Sequence, residues 1–218
     1  MNTIEMHRSF LLKAHTLDVT EIKDMSSYDI MALLNQAQND IISDRYFAKK
    51  YDDLRPITKS IETNTFDSSY FTGVTGTKVV DLKTITDYVY YLRSQSKMTR
   101  TYVPTVSTAT YVANIPIDYS SLLFFETNGS NRPIFKNPKE IVEGDFLVVL
   151  PDYYTTILYI DVIYIRKPLE LTLEVPIATT TNTCELPTNL HQTIVDRAVE
   201  LSMQTINRNE LNKSQNKQ

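Results

Sequence analysis

Apolar positions recur at helical spacing near both ends of the chain and give way to short β-rich runs in the middle. Ile30, Leu33, Leu34, Ala37 and Ile41 repeat at steps of three and four, and Ser26 or Ser27 can cap the turn that precedes them. With Asp29 in the first turn and Lys49 and Lys50 near the negative end, the pattern predicts a helix over about 27–50, with Gln36, Gln38, Asn39 and Asp40 on or beside its outer face. Phe10, Leu11 and Ala14 predict a shorter helix over about 5–15. A third, over about 189–206, follows from Leu190, Ile194, Ala198 and Leu201, with Asn189 as cap and Gln192 as its third-position partner.

Between the helices the period changes. Arg55-Pro56 resists helix continuation, and 60–76 is rich in Ser, Thr, Asn, Asp and Gly, which predicts a connector. From about 78 to 173 the segments 78–82, 88–94, 100–106, 108–113, 122–126, 145–150 and 156–166 are enriched in Val, Ile, Tyr, Phe and Thr, as strands are. Asn128-Gly129, Glu143-Gly144-Asp145 and Lys167-Pro168 supply reversals or stops. The expectation is an α+β fold: terminal helices packed on a central antiparallel sheet or sandwich, in one domain over 1–206. The polar tail 207–218 has Leu211 as its only apolar residue and cannot order itself by burial.

The run 156–166 is apolar on both faces: Ile157, Tyr159, Ile163 and Ile165 on one, Leu158, Ile160, Val162 and Tyr164 on the other. A half-exposed antiparallel strand alternates with polar residues, so both faces of this one need cover, one of them from another subunit. Asp161 inside the same run needs donors or a cation if buried.

Composition narrows the function. Of 218 residues, 42% are hydrophobic and 22% charged, which fits a folded protein. Lys and Arg total 22 against 26 Asp and Glu, a formal charge of -4 that disfavours tight global DNA binding. A single cysteine, Cys184, excludes an internal disulfide, and only 4 glycines leave little material for a phosphate-cradling loop. Phe10-Leu11-Leu12 is shorter than the roughly 7–15 apolar residues of an export signal, and no apolar run approaches the roughly 20 that span a bilayer.

Catalytic constellations are weak. His7, His15 and His191 form no i, i+4 metal pair, so solvated or capping roles are expected and neither metal nor cofactor is. Cys184 reads as a structural thiol, and no G-x-S-x-G elbow marks a serine. Gly73 to Lys78 has the wrong spacing for a phosphate loop, and the acid pairs Asp52-Asp53 and Glu143 with Asp145 read as turn residues. The patch Arg93, Lys97 and Arg100 reads as a solvated strand end rather than a nucleic-acid groove. Tyr153-Tyr154 after Pro151-Asp152 reads as an aromatic loop tip for protein contact. With Ile157, Tyr159, Tyr164 and Arg166 of the doubly apolar strand and Asn209 and Leu211 of the tail, these tyrosines are the expected subunit or partner contacts.

Three segments carry a family resemblance. Leu33-Leu34-Asn35-Gln36-Ala37-Gln38-Asn39-Asp40-Ile41-Ile42 followed by Asp44-Arg45-Tyr46 resembles the N-terminal helix of head-to-tail connector proteins of tailed bacteriophages, most of all those of crAss-like phages. The segment 87–94 and the block 164–168 leading to Cys184-Glu185-Leu186-Pro187 and the helix around 191–199 are similar as well. The β region is larger than in the compact helical adaptors of that group. The resemblance implies a non-enzymatic virion protein, made in the host cytoplasm and assembled as a dodecameric ring below the portal. It implies contacts with portal and other connector or tail proteins, no membrane, and passage of DNA without sequence-specific binding. A ring needs a heterologous interface, which the doubly apolar strand can supply. The competing reading is a monomeric β-rich binding module or hydrolase.

Overall fold

The computed structural model describes residues 1–17, 25–63, 66–67, 76–100, 109–118, 133–173 and 183–215. The α+β class is as expected: among the described residues, three α-helices and two short 3-10 helices accompany two sheets that are antiparallel except for one pair. The chain divides into two compact units, Met1–Ile57 with Pro168–Gln218, and Thr58–Lys167. The strand-rich centre is thus one unit and the two chain ends together form the other, where the sequence reading drew one domain over 1–206.

In the helical unit, α1 (Thr3–Thr16) opens on a capping box: Asn2 Oδ1 accepts from Glu5 N–H at 2.8 Å, and Glu5 Oε2 accepts from Asn2 N–H at 2.9 Å. Ser26 caps α2 (Ser27–Phe47) by accepting from Asp29 N–H at 3.2 Å. Its buried stripe is Ile30, Leu34, Ala37, Ile41 and Ile42, as the periodicity requires. Gln38, expected on or beside the outer face, is buried instead, because the return segment after residue 167 lies along this helix. Gln38 Nε2 donates to Leu169 O at 3.5 Å, and Asn35 pairs twice with the Leu171 backbone, at 3.0 and 2.8 Å. Those two amide side chains satisfy backbone groups that no ladder reaches. A 3-10 helix, Tyr51–Ile57, follows and buries Leu54 and Ile57.

The last helix, α3 (Thr188–Gln215), is nine residues longer than expected at its C-terminal end. Arg, Glu, Lys and Gln in 207–215 lack an apolar stripe but are good helix formers, so the backbone propagates the turns already nucleated by the packed half. Gln192 does not serve as a capping partner; it turns to Asp196 at 3.0 Å. Leu190, Ile194, Ala198 and Leu201 are buried, and ion pairs from Lys13 to Asp196 and from Arg197 to Asp40 at 3.2 Å tie α3 to α1 and α2.

Among its described residues the second unit holds nine strands: β1 (Thr58–Thr63), β2 (Phe66–Asp67), β3 (Lys78–Asp81), β4 (Tyr88–Arg100), β5 (Thr110–Ala113), β6 (Ile115–Pro116), β7 (Lys139–Glu143), β8 (Phe146–Leu150) and β9 (Thr155–Arg166). One sheet has the order β1-β9-β4-β5 and the other β2-β3-β8-β7-β6. The expected connector over 60–76 is partly a correction, since β1 occupies its start as an edge strand whose exposed polar residues hide it from pattern reading. The separate runs 88–94 and 100–106 share the single strand β4 as far as Arg100; 101–106, the run 122–126 and the Asn128-Gly129 turn lie outside the described residues. Gly144 stands at a φ of 59° in the β7–β8 reversal, a left-handed conformation that needs glycine.

Val80, Leu147 and Val149 of the five-stranded sheet, with Leu82 and Ile85 from the 3-10 turn after β3, share one core with Met98, Ile157, Ile160, Val162 and Tyr164 of the four-stranded sheet. The β4–β9 register shifts between Lys97 and Met98, where their partners are Tyr159 and Ile157 and Leu158 is left over. This bulge corrects the strict alternation drawn for 156–166: Ile157 joins Ile160 on the core face, and Leu158 is pushed to the exterior.

Candidate interaction surface

On the face of the four-stranded sheet turned away from this core, the register sets side chains in rows. Lys97 of β4 lies opposite both Tyr111 of β5 and Tyr159 of β9. The two tyrosine hydroxyls are hydrogen-bonded, their rings meet edge-on at 5.9 Å, and Lys97 Nζ stands 5.3 Å from one centroid and 4.9 Å from the other. A cation so placed is attracted by both ring faces. The Tyr159 hydroxyl beside it raises the Lys97 pKa, so the charge persists through the physiological range. The next row holds Gln95 and Asp161, joined at 2.8 Å, with Glu62 of β1 opposite Asp161. Asp161 therefore has its donor without being buried, and Arg93, Ile163 and Ser60 form the row beyond.

The β8–β9 reversal adds a second feature. Thr155 N–H donates to Asp152 O at 3.0 Å, which closes a tight turn with Tyr153 and Tyr154 at its tip. Their rings pack edge-to-face at 5.1 Å and remain 73% and 53% exposed. Leu158 is exposed on the strand that leaves this turn.

The expected contact residues divide accordingly. Tyr153, Tyr154 and Tyr159 offer surface. Ile157 and Tyr164 are 3% and 2% exposed in the core, where they hold the sheets together and give a partner nothing to touch. Arg166 is half-buried and donates to Lys167 O at 3.1 Å. Asn209 and Leu211 fall on the final turns of α3, with side chains outside the described residues. Lys97 and Tyr111 were not expected as a pair. The signal for them was the alternation of Arg93, Gln95 and Lys97 on one strand, but their neighbours are fixed only by register. Arg100, from the same basic patch, stacks 4.6 Å from the Phe135 ring instead of standing free.

Cys184 and His191 are held by neighbouring groups of the helical unit. Cys184 is buried, donates to Gln38 Oε1 and has its thiol pKa raised by burial, away from the thiolate form that attacks or ligates. His191 is buried between the Met1 ammonium at 2.5 Å and Leu186 O at 2.7 Å, and burial lowers its pKa. Burial lowers the pKa of His7 as well. Among the described residues no cluster of His, Cys, Asp and Glu could hold a metal ion, and no helix is long and apolar enough to cross a membrane. Comparison with protein-family models and with curated proteins returned no match.

Proposed function

We propose that this chain is a structural ring subunit of a tailed-phage virion, placed in the head-to-tail connector below the portal around the channel through which DNA leaves. The observation that carries this reading is the aromatic surface left in water by a single copy: the Tyr153–Tyr154 tip and the Tyr111–Lys97–Tyr159 row. Tyrosines backed by a rigid sheet and rimmed by polar groups have the composition of protein contacts. Each ring packs on another, and a tyrosine has only two side-chain torsions to order, which limits the entropy cost of docking. A modestly acidic chain suits a channel wall, because counterion-releasing contacts would slow the passing DNA. The dodecamer rests on the resemblance alone.

Mass measurement of the purified protein, alone and mixed with portal rings, tests the proposal. The expected result is a portal-dependent ring of many copies, whether or not the free chain is monomeric. A chain that stays a monomer beside intact portal and hydrolyses a glycan would instead be the competing hydrolase.

A further inference from the structure

Glu140 of β7 is the only buried carboxylate among the described residues, with 2% of its surface exposed. Hydroxyls and an amide surround it. Ser94 of β4 donates its hydroxyl to Oε2, and the Tyr91 hydroxyl of the same strand lies nearby. Behind Ser94, Asn114 donates its amide to Ser94 Oγ at 2.5 Å and accepts from Ser96 Oγ at 2.8 Å. The titratable groups that face this cluster are Tyr91 and, beyond it, Tyr88, both from β4; β8 sets Val149 opposite Glu140. No ion pair from a lysine, arginine or histidine reaches the carboxylate among the described residues. A charge in so dry a site, with dipoles alone for company, is strongly disfavoured. Burial accordingly holds this carboxyl above the ordinary glutamate range.

The location gives the cluster a mechanical consequence. Asn114 is the single residue between β5 and β6, so it marks the corner at which the chain leaves one sheet for the other. Its N–H donates to Ser94 O at 3.1 Å. Past the corner, β6 is a two-residue edge strand held to β7 by Ile115 N–H on Pro138 O at 2.8 Å and by Ile117 N–H on Glu140 O at 2.9 Å. Glu140 therefore grips β4 through its side chain and the outgoing strand through its carbonyl. An edge held by so few bonds has a low local opening free energy.

We propose that Glu140 is a proton-operated latch on the seam between the two sheets. As an uncharged acid it keeps the β5–β6 corner docked; on releasing its proton to water it turns outward as a carboxylate, and β6 peels from β7. The latch is a property of this unit and does not depend on ring assembly.

Hydrogen exchange of the full chain tests it, with rates divided by the intrinsic rate of each amide at each pH. Between about pH 5 and pH 8, protection of the Ile115 and Ile117 amides falls by up to about tenfold per pH unit in the wild type, while Val162 in the central β9 keeps its protection. In Glu140→Gln, which fills the same space without a charge, the two amides hold level protection across the range. A flat wild-type profile, or the same slope in the Gln variant, overturns the latch. Should Glu140→Gln fail to fold, Ser94→Ala decides: it removes the hydroxyl that steadies the carboxylate in place, so the loss of protection towards high pH must grow, and an unchanged profile overturns the proposal.

Discussion

Tyr164 donates its phenolic hydrogen to Asp87 Oδ1 at 2.7 Å, and Lys59 Nζ donates to the other oxygen of the same carboxylate, also at 2.7 Å. Asp87 further accepts from Lys167 N–H at its own carbonyl, at 2.7 Å. One acidic residue at the head of β4 thus pins β1, β4 and the end of β9. Asp87→Ala leaves the Tyr164 hydroxyl facing an empty site and should cost about 1–3 kcal/mol in denaturant unfolding, against about 1 kcal/mol for Tyr164→Phe, which removes donor and need together. The hydrogen bonds from Lys59 and Tyr164 hold the Asp87 pKa below the ordinary aspartate range, while burial and Asp87 push the Tyr164 hydroxyl up to about 12. A carboxylate with a depressed folded-state pKa stabilises fully above the unfolded value and loses that contribution as pH falls through the folded one. The difference between wild type and Asp87→Asn should therefore narrow below about pH 4.

Lys49 ends α2 in a left-handed conformation, φ 57°, that side chains with a Cβ adopt at a cost. The geometry is a Schellman cap: Lys50 N–H reaches back to Arg45 O and Lys49 N–H to Tyr46 O, both at 2.9 Å. Glycine normally holds this position. Lys49→Gly is expected to raise unfolding stability by about 0.5–1 kcal/mol, whereas Lys49→Val lowers it. Lys50→Gly, one residue on, gains nothing, and paired denaturation curves separate the three.

The helices were legible because their stripes are buried where the 3.6-residue period puts them, as with Ile30, Leu34 and Ala37. Gln38 was not, since its burial depends on a backbone segment more than a hundred residues away. In the β unit the long strand β9 announced itself by composition and β4 only over 88–94, because the mostly polar stretch 95–99 breaks its pattern; β1 did not, since Lys59, Ser60 and Glu62 serve an exposed edge, and edges select for polarity. The bulge at Leu158 is invisible to any reading that assumes strict alternation. The exposed tyrosine tip was readable from Pro151-Asp152-Tyr153-Tyr154. Lys97 with its two rings, and Glu140 with Ser94 and Asn114, were not, because strand pairing across long sequence separations brings those groups together.

His191 makes the helical unit sensitive to acid. Its buried imidazole is neutral when Nε2–H donates to Leu186 O and the Nδ1 lone pair accepts from the Met1 ammonium. A second proton would sit on Nδ1 against that ammonium. Burial lowers the pKa in the folded state, so the unfolded chain binds more protons just below the ordinary histidine value. Stability is complete above that value and is lost as pH falls beneath it. Urea midpoints measured from about pH 7.5 to pH 5 should decline in the wild type and decline less in His191→Gln. Because burial also lowers the His7 pKa, a residual slope remains, and His7→Gln with His191→Gln removes more of it than either alone.

Variants at Tyr153 and Tyr154 separate folding from the proposed assembly. Both rings project from a turn whose closure, Thr155 N–H on Asp152 O, uses backbone atoms only. Replacing both with serine should leave unfolding stability within about 0.5 kcal/mol, as for surface positions outside the core. Burying two edge-to-face rings in a partner is another matter. A tyrosine that acts as an interface hot spot accounts for about 2 kcal/mol or more, about thirtyfold apiece, so the double variant should bind portal up to about a thousandfold more weakly. Tyr111→Ser, on the sheet face, tests whether that contact extends beyond the tip: it lowers affinity if the Lys97 row is covered in the assembly and leaves it unchanged if the tip alone is seated. Wild-type affinity in the Tyr153→Ser, Tyr154→Ser protein, with its fold intact, would remove the aromatic tip from the interface.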